Sequence, residues 1–242
     1  MSSKAILGGL VAAAVLGLGG VAQADPTVAN AGFESSSYSA NSQFGANSFG
    51  QGVTGWTGTG YELYFVGGTQ TTVSAANQYN DPKTYLRPNV TTSPNGGNFV
   101  ALDGDISLQS GSTISQTING LTPGLQYDVG FDWAASELIN RTGATTERLA
   151  VDFGSDAQTT ATVSVPSGGF SGWMQQSFRF TASSASEVLT FLSFGTSNGS
   201  PPVALLDSVS VTQAVPEPAS WATLVLGLAV LGGTLRTLRR QT

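Results

Sequence analysis

The sequence predicts an all-β fold, a β-sandwich of the jelly-roll type, for residues 25–212. The hydrophobic residues of this region fall in short runs, and in several runs they alternate with polar residues at the period of two that marks a half-buried strand. Glycine, serine, asparagine and proline separate the runs at the regular intervals of a sandwich or a barrel. The region contains no stretch with the spacing of an amphipathic helix.

Nine strands are predicted along this region. The alternation is clearest in residues 126–134, where Tyr127, Val129 and Phe131 would share one face of the strand. The predicted strands span residues 61–66, 98–102, 112–118, 126–134, 148–153, 160–165, 173–182, 187–194 and 203–211.

Residues 1–24 have the three parts of a secretory signal peptide. Lys4 gives the first part its positive charge, residues 5–18 form the apolar part, and the small residues at 22 and 24 mark a cleavage site. We therefore expect the mature chain to begin at Asp25 and to be exported. The alternative is a permanent N-terminal anchor, against which the cleavage site and the short apolar part argue.

The charge and the missing residue types exclude several functions. Residues 25–215 contain 14 acidic and five basic side chains, and an acidic surface repels nucleic acid, whose binding depends on basic side chains. The chain has no histidine and no cysteine, which excludes Ser-His-Asp catalysis, histidine-based zinc sites and disulfides. We expect an exported protein that is not an enzyme and has no nucleic-acid partner.

Residues 213–242 have the pattern of a membrane-targeting segment. Residues 219–235 carry no charge and, at about 1.5 Å per residue, are just long enough as a helix to cross a bilayer core of about 30 Å. A cluster of arginines follows and would stay in the cytoplasm, which places the body of the protein outside. Pro216 and Pro218 would keep Glu217 in an extended, accessible backbone before the helix.

The order of these features resembles the PEP-CTERM sorting signal, with Pro216, Glu217 and Pro218 as its tripeptide and Arg239 and Arg240 as its basic end. In that family an exosortase-type transpeptidase processes the chain near the tripeptide. The resemblance implies that the inner membrane holds this chain transiently. The chain would then reach the cell surface or the extracellular biofilm matrix of a bacterium with an outer membrane. The alternative is an ordinary C-terminal anchor.

The body between the two signals resembles the galactose-binding-like jelly rolls, which include exported choice-of-anchor domains and carbohydrate-binding modules. The resemblance lies in the order of short patterns, which are NAGFE at the mature start, GW at 55–56, GGNFVALDG, ISQTINGLTPGLQYDVGFDWA and a closing LLDSVSV. These patterns relate to the fold rather than to the chemistry, so they do not decide the function.

Asp207 is the polar residue that points most directly to a ligand. Strand parity predicts that it shares a buried face with Leu205, Val209 and Val211, and a buried carboxylate needs a cation or several donors. The resemblance to the jelly rolls implies a structural Ca²⁺ held by Glu34 and Asp207, and hard oxygen ligands suit that ion. The alternatives are a solvent-exposed Asp207 at a strand end or an ion pair between Asp207 and Arg179.

Two further carboxylates, Asp103 and Asp105, flank Gly104. An Asp-Gly pair is first of all a turn signal. A second calcium loop is the weaker hypothesis for these residues.

The aromatic residues of a long polar segment, residues 35–97, are candidates for stacking on sugar rings. We select Trp56, Tyr61 and Tyr64 as the candidate ligand-binding residues, although Trp56 also fits the core. Tyr61 and Tyr64 have opposite parity, so they cannot both face one surface. The aromatics of the segment are Trp56, Tyr61, Tyr64, Tyr79 and Tyr85.

Three functions are compatible with these observations. The leading hypothesis is a non-enzymatic surface or biofilm-matrix protein that an exosortase sorts and whose ligand, if it has one, is exopolysaccharide. The alternative is a dedicated carbohydrate-binding module for a defined glycan. The third is a glycoside hydrolase that uses two carboxylates across a cleft. Exposed aromatics on a sheet face or a loop rim would favour sugar binding.

Overall fold

The computed structural model describes residues 25–44, 52–105, 111–196 and 202–215, and these residues form two antiparallel sheets. The predicted signal peptide, the predicted C-terminal helix and the sorting residues Pro216, Glu217, Pro218, Arg239 and Arg240 lie outside the described residues. Within these residues no helix is long and apolar enough to cross a membrane.

Twelve strands are found in the described ranges, and all nine predicted strands are among them. The prediction missed the three short strands β1, β2 and β8. The strands are β1 (Ser42–Phe44), β2 (Thr57–Thr59), β3 (Glu62–Phe65), β4 (Phe99–Asp103), β5 (Thr113–Asn119), β6 (Gln126–Glu137), β7 (Thr145–Phe153), β8 (Asp156–Thr159), β9 (Val163–Val165), β10 (Met174–Thr181), β11 (Ser186–Gly195) and β12 (Pro202–Gln213).

The two sheets pack face to face, which confirms the predicted all-β sandwich. Sheet I has the strand order β1-β3-β4-β12-β6-β10, and sheet II has the order β2-β5-β11-β7-β8 with β9 also paired to β7. Alternate residues of the long strands point between the sheets and form the main core, as Tyr127, Val129 and Phe131 do on β6. Each fully buried side chain of this size stabilises the fold by about 1.5–3 kcal/mol.

The outer face of sheet I is also buried over β3, β4 and the adjoining parts of β6 and β12. Its outward side chains, such as Leu63, Phe99 and Leu205, form a second apolar cluster with residues of a long connection. We call residues 66–97 and 166–173 the cover, because Leu86 from the first segment and others lie over this face. The Trp173 indole packs edge-on against Phe99, with ring centroids 5.5 Å apart, and donates a hydrogen bond of 3.2 Å to the Thr91 carbonyl.

The outer face of sheet II has a different composition, and no element of the described residues covers it. Most of its outward positions carry hydroxyl-bearing or small side chains, with a few larger ones such as Val188 and Phe194, and these positions are exposed or half-buried. They include Thr57, Thr59, Thr113, Ser115, Thr117, Ala150, Asp152, Thr190 and Leu192.

A β-bulge in β12 corrects the predicted environment of Asp207. The pairing of β12 with β6 shifts between Asp207 and Ser210, and Ser208 has a left-handed backbone with φ of 58°. Leu205 and Asp207 therefore face the outer side of sheet I, whereas Val209 faces the main core. Asp207 is buried and shares its face with Leu205 as predicted, but the predicted grouping with Val209 and Val211 was wrong, because the bulge adds one residue and reverses the alternation after it.

The two ends of the described body meet at one end of the sandwich. The Gln213 backbone N–H donates to the Asp25 carboxylate over 2.8 Å. The other end of the sandwich is formed where β12 begins and β6 finishes, with Val203 of β12 opposite Asp103 of β4. A strand of the length of β6, 12 residues, spans about 35–40 Å between these ends.

Candidate functional site

Two tyrosines form an exposed aromatic surface at the end of the sandwich that is remote from the termini. Tyr61 precedes β3, and its backbone is held by Ser112, whose hydroxyl accepts from the Tyr61 N–H over 2.9 Å. The ring of Tyr61 lies 6.2 Å from the ring of Tyr79, with an angle of 33° between their planes. We call this pair the aromatic ledge. Tyr61 is half-buried, and Tyr79 is 69% exposed.

A hydrogen-bonded turn in the cover holds Tyr79 in place. The Asn77 side-chain oxygen accepts from the Tyr79 N–H over 2.9 Å, and its amide nitrogen donates to the Thr84 hydroxyl over 2.5 Å. Asn80, the next residue, adopts a left-handed backbone with φ of 50°, which asparagine tolerates well. The turn therefore orders the backbone that carries the exposed ring before any ligand arrives, which lowers the entropic cost of binding.

Carboxylates and amides surround the ledge. Burial, and to a smaller extent the nearby Asp103 and Asp81 carboxylates, raise the pKa of Tyr61 to about 12, against the opposing effect of a hydrogen bond with Thr84. The Asp81 carboxylate accepts from the Asn140 amide over 2.7 Å and from the Lys83 N–H over 2.8 Å. The ledge thus combines an apolar ring face with polar groups at its edge, as in typical small-ligand sites.

Asp103 links the ledge to the interior of the sandwich. Burial raises the pKa of Asp103 to about 6, and the neighbouring Asp105 carboxylate adds to the shift while Arg141 opposes it. The Asp103 carboxylate accepts from the Asp105 N–H over 2.8 Å, which is the geometry of an Asx turn. This agrees with the turn that the sequence predicts at Asp103 and Asp105.

Two glutamates point inward beneath this end and are fully buried. Burial raises the pKa of Glu62 to about 8, and the nearby backbone amides offset only part of this rise. Neither oxygen of the Glu62 carboxyl group has a hydrogen-bond partner. Burial also raises the pKa of Glu147 well above its usual range, although one of its oxygens accepts from Ser193 and from the Arg148 N–H. Because both carboxyl groups are enclosed, neither can reach a ligand on the surface.

Trp56 and Tyr64, the other two predicted ligand-binding aromatics, lie in the main core. Trp56 is 7% exposed and Tyr64 is 2% exposed. The Trp56 ring packs between Phe33 and Phe191, and its N–H donates to the Asn30 carbonyl over 3.1 Å. Their positions leave neither ring a face on which a sugar could stack. Of the three predicted aromatics, only Tyr61 reaches the surface.

The predicted calcium residues are neighbours near the start and the end of the body. The Asp207 carboxylate and the Glu34 side chain both approach Gly32, where a Cβ atom would lie 3.6 Å and 3.9 Å from them. Burial raises the pKa of Asp207 to about 6, and the carboxylates of Glu34 and Asp132 add to this effect. A bound cation would offset the repulsion between the buried Asp207 carboxylate and the neighbouring carboxylates of Glu34 and Asp132.

The carboxylates of Glu34 and Asp207 already accept hydrogen bonds, which reduces their capacity to bind a cation. The Asp207 carboxylate accepts from the Ser208 N–H over 2.6 Å, and the Glu34 carboxylate accepts from the Asn98 N–H over 2.8 Å. Within the described ranges, no group of three or more acidic, histidine or cysteine side chains has an arrangement that could hold a metal ion. The donor chemistry suits Ca²⁺, and the further ligands would have to come from backbone carbonyls or water.

A protein-family model described as "Protein of unknown function (DUF642)" matches residues 88–212, just over half of the 242 residues. The chain belongs to the DUF642 family. The DUF642 match contains β4 to β12 and therefore Asp103 and Asp207, whereas Tyr61 and Tyr79 of the ledge lie before it. No curated protein matches the sequence.

Several solved structures are similar to this DUF642 chain at low identity. TmCBM61, solved in complex with β-1,4-galactotriose, is 16% identical, with 79% of this chain and 100% of that chain covered and a TM-score of 0.41. The K1 cleaved adhesin domain of Lys-gingipain from Porphyromonas gingivalis W83 is 13% identical, with coverages of 76% and 96% and a TM-score of 0.40. The CBM22-1 xylan-binding domain of Paenibacillus barcinonensis Xyn10C is 13% identical, with coverages of 73% and 94% and a TM-score of 0.37.

Proposed function

We propose that this protein is a non-enzymatic carbohydrate-binding domain and that the aromatic ledge binds the sugar. The observation that carries the proposal is the exposed ring of Tyr79, which a structured turn holds beside Tyr61. A large exposed ring costs hydration free energy unless a ligand covers it, and the axial C–H groups of a sugar offer a matching apolar face. Hydroxyl groups around the sugar ring would reach the polar groups at the edge of the ledge.

The charge around the ledge favours an uncharged sugar. Asp81 and Asp103 lie close enough to Tyr61 to raise its pKa, and the body has 14 acidic side chains against five basic ones. A uronic acid or a sulfated sugar would meet like charge at this position. We therefore propose a neutral glycan as the ligand.

The proposal includes the delivery of the domain to the cell surface or the biofilm matrix. The signal peptide at residues 1–24 and the sorting tripeptide at residues 216–218 would export the chain and hold it transiently in the inner membrane, where an exosortase processes it. One structural feature is compatible with presentation of the ledge at a surface. Asp25 and Gln213 meet at the end of the sandwich opposite the ledge, so a chain held by its termini would present the ledge away from the membrane.

The proposal also includes a structural calcium ion bound by Glu34 and Asp207. Glu34 lies near the mature start and Asp207 lies in the last strand, so one ion would join the first and last parts of the domain. A divalent cation would compensate the buried charge that raises the pKa of Asp207.

A glycan array tests the binding function. We expect the purified protein to bind neutral glycans and to leave uronic-acid polymers unbound. The Tyr79→Ala variant should lose the part of the signal that depends on the ledge, and the Val73→Ala variant is the matched control, because Val73 is a 41% exposed hydrophobic residue of the same cover segment. A wild-type protein that binds no glycan, or a Tyr79→Ala variant with an unchanged profile, would refute the proposal.

Intact-mass measurement tests the sorting. The mature protein from a host with an exosortase should lack residues 221–242, and the Glu217→Ala variant should stay in the inner membrane at full C-terminal length. Recovery of the uncut wild-type chain from such a host would contradict this part of the proposal while leaving glycan binding open to its own test.

A further inference from the structure

A groove of about 940 Å³ lies on the outer face of sheet II, where strands β2 and β5 border the first residues of the body. It is distinct from the aromatic ledge, which lies on the cover side of sheet I and at the other end of the sandwich. Its volume is within the range of about 300–1,000 Å³ that is usual for ligand sites. The side chains that decide its chemistry are Asp25, Thr57, Ser115, Thr117, Asn119 and Val188.

Hydrogen bonds hold the wall of this groove in place. The side chain of Gln116 accepts from the Ala29 N–H over 2.7 Å and donates to the Ala29 and Gly55 carbonyls over 2.9 Å and 2.8 Å. Gly55 has φ of 81°, and a Cβ atom there would lie only 3.2 Å from Ala29 and from Gln116. The segment at residues 25–29 is therefore docked closely, and the groove exists without a ligand.

The lining of the groove selects the class of ligand. It contains no lysine or arginine, and its single charged side chain is Asp25, whose carboxylate already accepts from the Gln213 N–H. In a chain cleaved before Asp25 the new α-amino group would balance that carboxylate. Hydroxyl and amide groups on Ser115, Thr117 and Asn119 can bond with sugar hydroxyls, and Val188, 49% exposed, offers an apolar contact.

We infer that this groove is a second glycan-binding site, for an uncharged polysaccharide segment, and that the domain can bridge two glycan chains. The two sheets of a sandwich lie about 10 Å apart, so sites on their opposite outer faces cannot bind one short oligosaccharide together. Each site would bind its own chain. Two weak sites on one rigid body raise the overall affinity for a matrix of many chains without any new contact.

The test compares single-site variants of the full-length protein, purified in mild detergent. Thr117→Arg places a long charged side chain in the groove, and Thr181→Arg adds the same charge at an exposed position of β10 in the other sheet. The probes are cello-, xylo- and galacto-oligosaccharides of about four to six residues, the length that a groove of this volume admits, with oligogalacturonate as the anionic control. The readouts are the stoichiometry and affinity from isothermal titration calorimetry.

We expect two binding sites in the wild type and in Thr181→Arg, and one in Thr117→Arg. The groove of Thr117→Arg should bind the oligosaccharide at least tenfold more weakly than the groove of the wild type. Light scattering after mixing with the polymer of the bound sugar should rise for the wild type and should not rise for Thr117→Arg. Equal stoichiometry and affinity in Thr117→Arg and Thr181→Arg would overturn the inference, and so would a wild type that binds no neutral probe.

The groove and the ledge can fail separately in the same experiment. If Tyr79→Ala binds as the wild type does while Thr117→Arg loses a site, the groove is a glycan site and the ledge is not. If only Tyr79→Ala loses a site, the ledge proposal stands and this inference fails.

Discussion

The outer faces of the two sheets differ although both belong to the same sandwich. On sheet I, Phe99 and Leu205 are fully buried beneath the cover. On sheet II, the outward residues such as Thr117 and Thr190 are exposed or half-buried and are covered by no element of the described chain. The covered part of sheet I is therefore the middle layer of a three-layer arrangement, and the outer face of sheet II faces the solvent.

The sequence of each strand reflects this difference. Strands that are buried on both faces read as nearly continuous apolar runs, and strands with one solvated face alternate. β4 has the sequence FVALD and β12 begins with PVALL, whereas β5 reads TISQTIN. A continuous run in a sandwich strand therefore predicts that some connection will cover its outer face. The sheet whose strands alternate, sheet II, is then the one whose outer face is exposed to solvent.

The largest expected effect is on the cover. Phe99→Ala should lower the free energy of unfolding by about 3–5 kcal/mol, because it opens a cavity between the sheet and its cover. Phe194→Ala removes the same ring from the outer face of sheet II, where Phe194 is half-buried beside Arg148. That change should cost about 1 kcal/mol. Urea denaturation of both variants measures the difference, and equal losses would contradict the assignment of a covered and an uncovered face.

Calcium removal should have the next largest effect, because the proposed ion joins the cover side to the body. Glu34 accepts from Asn98 at the end of the cover segment, and Asp207 lies on the same face of sheet I. A ligand at a hundredfold excess over its Kd stabilises the folded state by about 2.7 kcal/mol. For a domain of this size the melting temperature should rise by about 5–10 °C.

Thermal melts in EGTA and in millimolar calcium measure this shift. Asp207→Asn should abolish it, and Asp152→Asn, which changes an aspartate on the outer face of sheet II, should leave it unchanged. Equal wild-type melting temperatures in the two buffers would exclude the calcium site. A shift that survives in Asp207→Asn would place the ion elsewhere.

A smaller effect should appear in the pH dependence of stability. The pKa of Glu62 rises from 4.5 to about 8 in the folded state, so the protonated form favours folding. This contribution is complete below about pH 4.5 and is lost as the pH rises towards 8, at up to about 1.4 kcal/mol per pH unit. Glu62→Gln cannot ionise, so its free energy of unfolding should fall less between pH 5 and pH 6.5, by about 2 kcal/mol.

Urea denaturation at four pH values between 5 and 6.5 provides the measurement. Asp152→Asn is again the control, because this change leaves the buried carboxyl groups untouched and should keep the wild-type slope. A Glu62→Gln variant with the same slope as the wild type would show that Glu62 does not ionise in this range.

The fold could be predicted from the sequence far better than the candidate site. The nine predicted strands come from short alternating or continuous apolar runs, which each strand carries in its own residues. The bulge at Ser208 has no such local signal, and it places Val209 and Val211 on the face opposite to that of Asp207. β1, β2 and β8 were missed because strands of three or four residues are too short to show a period.

The aromatic residues show why the site was harder. Tyr61 was selected from the sequence, but Tyr79 was only one of several aromatics in the polar segment. Their contact depends on how the cover folds back over sheet I, which no spacing in the sequence reveals. Trp56 and Tyr64 were candidates because of their residue type, and the structure places both in the core. Residue type alone does not separate a stacking ring from a packing ring.

The central claim is that the ring of Tyr79 provides the sugar contact, and titration calorimetry on three proteins tests it most directly. With a neutral oligosaccharide selected on the array, Tyr79→Phe should bind within about twofold of the wild type, because it keeps the ring. Tyr79→Ala should bind at least about tenfold more weakly, a loss of about 1.4 kcal/mol. Equal affinity of Tyr79→Ala and the wild type at every site would contradict the account.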